Sequence, residues 1–155
     1  MCEDLRFNWE YLLNCKRMAV IPAALHFYRL NESSITGTYK KQKNSVKMVA
    51  NGVANAKLWA TIACDSPMRT EKLRKYLRAR AAYTAHGALW RVCSTGQEKN
   101  YRTFIAEARV LINSNCTEIL QDKETYSRFL RFMCWMCSHS YTLWKMAAKA
   151  GGAIG

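Results

Sequence analysis

The chain has 155 residues, with 24 Lys and Arg against 11 Asp and Glu, and half of its residues are hydrophobic, a composition that excludes a disordered tail. There is apolar material for one core, and two prolines with seven glycines are too few breakers for an all-β sandwich, which needs a turn signal about every 8–12 residues. The net charge of +13 is uneven: residues 1–39 are neutral, 40–91 carry +10 and 92–155 carry +3, so the middle third attracts anions such as nucleic acid, anionic head groups or pyrophosphate-bearing substrates.

In chain order, Asp4 to Cys15 reads as a helix with Glu3 and Asp4 at its positive end and Leu5, Trp9, Leu12 and Leu13 on one face. Two strand-like runs follow, Met18 to Ile21 and Leu25 to Leu30, rich in branched and aromatic residues and separated by Pro22-Ala23-Ala24. A polar loop spans Asn31 to Gly37. From about Lys41 the period becomes helical and stays so, through four or five helices, all expected to be amphipathic. The first carries Val46, Val49, Val53, Ala56 and Ala60. The next is expected to start at Ser66-Pro67, an N-cap followed by proline, and contains Leu73, Tyr76, Leu77 and Leu89. A third has Tyr101, Phe104, Ile105, Ala108, Leu111 and Ile112, and a last one has Tyr126, Leu130, Met133, Cys137 and Trp144. There is no internal repeat. The organisation is a small α/β piece at residues 1–37 joined near Gly37 to a helical region at 38–155.

Seven scattered cysteines, an odd number with no signal-peptide pattern ahead of them, point to a reducing, cytoplasmic compartment rather than a disulfide framework. The thirteen residues from Phe132 to Trp144 carry no acid, Lys or Arg, yet fall short of the roughly 20 needed to span a bilayer. They suit either a membrane interface or the buried stripe of a helix. Cys134-x-x-Cys137-x-His139 has thiolate spacing known from zinc sites but lacks a second pair, and its periodic apolar setting favours buried cysteines. The basic run from Arg69 to Arg80, with Tyr76, Tyr83 and Trp90 as aromatic neighbours, contains no nucleic-acid-binding module, which makes nucleic acid an unfavoured partner. An anionic membrane surface contacted through residues 69–91, or a plain solvated face, remains open.

The N-terminal motifs are the most informative. Glu3-Asp4-Leu5-Arg6-Phe7-Asn8-Trp9-Glu10-Tyr11-Leu12, then Ala19-Val20-Ile21, then Leu25-His26-Phe27-Tyr28-Arg29, then Ser33-Ser34-Ile35-Thr36 follow one another over about a quarter of the chain. In order and spacing this resembles the closing part of the catalytic domain in family-2 glycosyltransferases of the GT-A type. The resemblance implies a mainly α chain with a small α/β N-terminal piece, the truncated C-terminal end of a GT-A (Rossmann-like) domain followed by a helical, bundle-like region. It implies that Asp4 is the general base on the acceptor hydroxyl, with Glu3 as its helix-start neighbour, in an inverting hexosyl transfer. Arg29 falls where such enzymes contact a phosphate or the acceptor, although a surface arginine at a strand end reads equally well. Ser33 and Ser34 fall in the loop near the donor, and His26 reads as a packing residue.

One departure matters. Such enzymes hold Mg or Mn and a nucleotide-sugar with an Asp-x-Asp motif in a preceding βαβ half, and this chain has no Asp-x-Asp, with Cys2 standing where glycine usually precedes the acidic pair. No cofactor is therefore expected in this chain itself, and the metal is expected only with the donor-binding half. The expected function is the C-terminal fragment of a bacterial-type, polysaccharide-building glycosyltransferase, inactive alone, whose partners are a nucleotide-sugar and a glycan or lipid-linked acceptor. It would lie in the cytoplasm or at the inner face of the membrane. The alternative is a stand-alone basic helical module that binds anionic membrane or nucleic acid.

Overall fold

A computed structural model describes residues 7, 8, 11, 14, 15, 17, 19, 46–65 and 70–152. Among them are five α-helices and one 3-10 turn: α1 (Val46–Asp65), α2 (Glu71–Ser94), the turn Glu98–Tyr101, α3 (Arg102–Gln121), α4 (Arg128–His139) and α5 (Tyr141–Gly152). The expectation of a mainly helical chain holds for these residues. Near the N-terminus Phe7, Asn8, Tyr11 and Asn14 are helical, within the expected first helix. The two expected strands lie outside the described residues apart from Ala19, which is exposed and has no regular structure.

Helix α2 is the axis of the fold, packed by α1, α3, α4 and α5. Its alanines explain this position: Ala81, Ala82, Ala85 and Ala88 are buried, and their short side chains let backbones approach from more than one side. For that reason α2 departs from the expected amphipathic pattern, because a helix covered on several sides has no single apolar stripe. The main core joins Val53 and Ala56 of α1, Leu89 and Cys93 of α2, Ile112 of α3, Met133 and Cys137 of α4, and Trp144 and Ala148 of α5. Gly52 belongs to the same contact, since a Cβ there would meet the Cβ of Ala88 at 2.9 Å.

Two boundaries differ from the sequence reading. Helix α2 begins at Glu71, where Thr70 is the extended N-cap and its hydroxyl accepts from the Leu73 N–H at 3.3 Å, so Ser66-Pro67 does not cap it. The single last helix is in fact two, preceded by Tyr126 in a turn. Ser127 caps α4 by accepting from the Leu130 N–H at 3.2 Å, and α4 ends at Ser140, which donates its N–H to Met136 O. The carbonyl of Ser140 then accepts from the Trp144 N–H and opens α5. The periodicity ran through this break because buried positions continue across it, Met133 and Cys137 before and Trp144 and Ala148 after.

Candidate functional site

The residues that the glycosyltransferase resemblance singles out, Glu3, Asp4, His26, Arg29, Ser33 and Ser34, lie outside the described residues. Of the same motif run, Phe7 and Tyr11 are described, exposed and stacked one helical turn apart, with ring centroids 6.3 Å apart.

The basic stretch is only partly free to bind anything. Arg78 donates to Glu118 of α3 at 3.2 Å, Arg74 lies 3.6 Å from Glu71, and Arg80 sits over the Tyr83 ring. Lys72, Lys75 and Arg91 are exposed and make no ion pair with another described residue. Four of the five described glutamates, Glu71, Glu98, Glu107 and Glu118, are each held by at least one cation, which leaves an unbalanced positive surface. The aromatic neighbours of this stretch divide: Tyr76 and Tyr83 reach solvent, while Trp90 packs on Trp144 at 5.9 Å.

A cleft of about 760 Å³, absent from the sequence reading, opens between the 3-10 turn and α5, with Glu98, Lys99, Arg102, Tyr141, Lys145 and Lys149 in its wall. Lys145 and Lys149 are one helical turn apart on α5, and both ammonium groups reach Glu98 Oε1, at 3.1 and 3.2 Å. Burial pushes the Glu98 carboxyl up, but its own backbone N–H and the two lysines outweigh burial and hold it below the usual carboxylate range. The single Glu98 carboxylate balances one of the two ammonium charges, so this wall keeps a net positive charge. Beside them the Tyr141 hydroxyl lies 3.5 Å from Cys93 Sγ, under the Arg109 guanidinium 4.3 Å above the tyrosine ring. Burial pushes both the Cys93 thiol and the Tyr141 phenol up, so neither is an activated nucleophile.

The Cys134 and Cys137 side chains are buried, as the apolar reading expects. Burial raises both thiols, Cys137 to about 12, and His139 is exposed, with Nδ1 held by Trp135 O and Ser138 Oγ at 2.9 Å. Among the described residues no group of three or more His, Cys, Asp or Glu is placed to hold a metal ion. No helix among them is long and apolar enough to cross a membrane.

A second cleft, of about 520 Å³, lies at the start of α4 and is lined by Lys123, Glu124, Tyr126, Ser127, Arg128 and Arg131. Tyr126 is 5% exposed and its hydroxyl has no hydrogen-bond partner. Its phenol is pushed up to about 12 by burial. Sequence reasoning had Tyr126 as a core position and saw nothing of the cleft, which depends on where α3 ends relative to α4. Compared with protein-family models, curated proteins and solved structures, the chain matches none of them.

Proposed function

We propose that this chain is the C-terminal part of a bacterial-type, inverting family-2 glycosyltransferase, acting in the cytoplasm or at the inner membrane face, with residues 38–155 as its helical accessory region. The observation that carries this reading is the joint run of Glu3-Asp4, Phe7-Asn8, Tyr11-Leu12, Phe27-Tyr28-Arg29 and Ser33-Ser34-Ile35-Thr36 in the family's order and spacing. The helical state of Phe7, Asn8, Tyr11 and Asn14 is what a base helix starting at Asp4 needs.

In this reading Asp4 accepts the proton of the acceptor hydroxyl as its oxygen attacks the anomeric carbon. The bond from that carbon to the nucleotide diphosphate breaks on the opposite face, and the leaving group takes the electron pair, which inverts the centre. A carboxylate at a helix N-terminus stays ionised and rigid, as a base must. Arg29 would contact a phosphate or the acceptor, and Ser33 and Ser34 would line the donor-side loop. The described carboxylates are not grouped as a Mg or Mn clamp: no three His, Cys, Asp or Glu among the described residues are placed to hold an ion, and Glu71, Glu98, Glu107 and Glu118 are engaged by lysine or arginine. In this reading a Mg or Mn ion would be held by the donor-binding half, where it would offset the charge of the diphosphate leaving group.

The test is Asp4→Asn in the enzyme that includes that half. Transfer should fall by about 100-fold or more while nucleotide-sugar affinity stays nearly unchanged. Near-normal turnover removes Asp4 as the base.

A second reading is favoured by the exposed Lys72, Lys75 and Arg91 on α2: a basic helical module that contacts an anionic membrane or nucleic acid. Salt-sensitive binding that disappears in Lys72→Gln/Lys75→Gln supports it, on vesicles for the membrane form and on a nucleic-acid column for the other.

A further inference from the structure

The outer face of α4 and α5 is built against the usual rule for a surface helix. Arg128, Phe132, Trp135 and His139 fall on one stripe of α4, at spacings of four, three and four residues, facing away from the buried Met133, Cys134 and Cys137. Phe132 and Trp135 are 53% and 44% exposed, and Phe129 beside them is 68% exposed. On α5, Leu143 and Met146 are 54% and 55% exposed. Large apolar side chains grouped on adjoining helices mark a contact surface rather than scattered exposure.

Its local geometry is rigid. Phe132 stacks on Trp135 at 6.0 Å and Trp135 stacks on His139 at 5.0 Å, while the His139 ring is fixed by the Trp135 carbonyl and Ser138 hydroxyl. Little side-chain freedom is left to lose on docking.

Charge identifies what docks. Helices α4 and α5 contain no Asp or Glu, but hold Arg128, Arg131, Lys145 and Lys149. The stripe starts at Arg128, which also lines the cleft at the α4 N-terminus with Lys123, Tyr126, Ser127 and Arg131. Arg131 spends one guanidinium N–H on Leu120 O at 3.3 Å, and its buried Nε has no partner. Glu124 is the carboxylate in this wall. Three cations at a helix N-terminus suit a phosphate, and the cleft lies at the edge of an aromatic and aliphatic face. The two helices have 12 residues each, too short to span a bilayer, so the face would lie along one.

We propose that the α4–α5 face docks on an anionic phospholipid surface, with the cleft at the α4 N-terminus taking a headgroup phosphate and Phe132, Trp135, Leu143 and Met146 entering the headgroup–acyl boundary. It develops the membrane form of the second reading but on a different surface, and it is independent of Asp4. The probe is co-sedimentation of the 155-residue chain with vesicles of equimolar phosphatidylcholine and phosphatidylglycerol, against vesicles of phosphatidylcholine alone. The mixed vesicles should bind it in a salt-sensitive way. Phe132→Ser/Trp135→Ser and, separately, Leu143→Ser/Met146→Ser should each lower partitioning by about tenfold or more while circular dichroism shows the chain still helical, because about half of each side chain faces solvent. Lys123→Gln/Arg128→Gln should remove the preference for mixed vesicles. The proposal is overturned if the chain ignores both vesicle types, or if both serine pairs bind as the parent does. Loss of binding only in Lys72→Gln/Lys75→Gln would leave the α2 reading standing without this one. A dimer that the serine substitutions dissociate, with no vesicle binding, would assign the face to a second copy instead.

Discussion

His86 shows how much one buried side chain can weigh. It is 6% exposed on α2, and its Nε2 accepts a hydrogen bond from Trp144 Nε1 at 3.0 Å, so the ring is neutral with its proton on Nδ1. Burial lowers its pKa from 6.5 to about 4. The unfolded chain therefore takes up a proton below pH 6.5 that the folded chain refuses until about pH 4, and stability falls as pH drops through that window. At about 1.4 kcal/mol per pKa unit the whole effect is about 3 kcal/mol, of which about 2 is gone by pH 5. Urea unfolding at pH 7 and pH 5 should show that loss, and His86→Gln, which keeps an acceptor but does not titrate, should show much less of it. The Glu98 carboxyl, also held below its ordinary pKa, has the same sign at lower pH: its stabilisation is present above 4.5 and disappears as pH falls through the lower folded value. Two helical glycines give opposite expectations. Gly87 has open space around the position of a Cβ, so Gly87→Ala should stabilise by about 0.5–1 kcal/mol. Gly52→Ala would press on Ala88, part of a neighbouring helix, and should destabilise by about 1–3 kcal/mol in the same unfolding experiment. Nothing in the sequence separates these two glycines, since both sit mid-helix, and only the packing of α1 on α2 tells them apart.

At the scale of elements, the ends of helices carry the local information. Helix α2 stops in a Schellman motif: Gly96 has φ +69, its N–H donates to Cys93 O, and the Gln97 N–H donates to Val92 O. A side chain at that φ is strained, so Gly96→Ala should cost about 1 kcal/mol and lower the melting temperature, despite the open space around it. The apolar spacing of α1 and α3 was legible because each shows the bundle a single face: Val49, Val53 and Ala56 in one, Ala108 and Ile112 in the other, are buried as their positions require. Tyr101 shares that spacing but lies in the 3-10 turn before α3, where its side chain is still buried. Helix α2 and the break at Ser140 were not legible for physical reasons. An alanine-rich helix can be buried on several sides without an apolar stripe, and a serine between two periodic runs has no propensity that forces a stop.

At the scale of the molecule, charge and fold have to be considered together. The positive excess of the middle third survives folding because the described glutamates mostly neutralise individual cations, while Lys72, Lys75 and Arg91 stay exposed. Counting charges located that excess on α2. It did not locate the α4–α5 face, because Phe132, Trp135 and Leu143 belong to the same uncharged stretch as the buried Met133, Cys137 and Trp144, and Met146 follows it directly after Lys145. Which of them faces water depends on how α4 and α5 pack on α2 and α3. The proposed catalytic residues were read the other way round: Glu3, Asp4, Arg29, Ser33 and Ser34 come entirely from motif order and lie outside the described residues.

The amino-acid sequence by itself determined the helical class of residues 46–65 and 70–152, most positions of the core and the site of the basic excess, because periodicity and charge are properties of neighbouring residues. The tertiary structure alone decided that α2 is central, that Lys145 and Lys149 converge on Glu98, that Trp144 pairs with His86, and that an aromatic stripe is left facing outward. Each of those joins side chains far apart in the chain, and the geometry that brings them together is set by helix packing rather than by local preference.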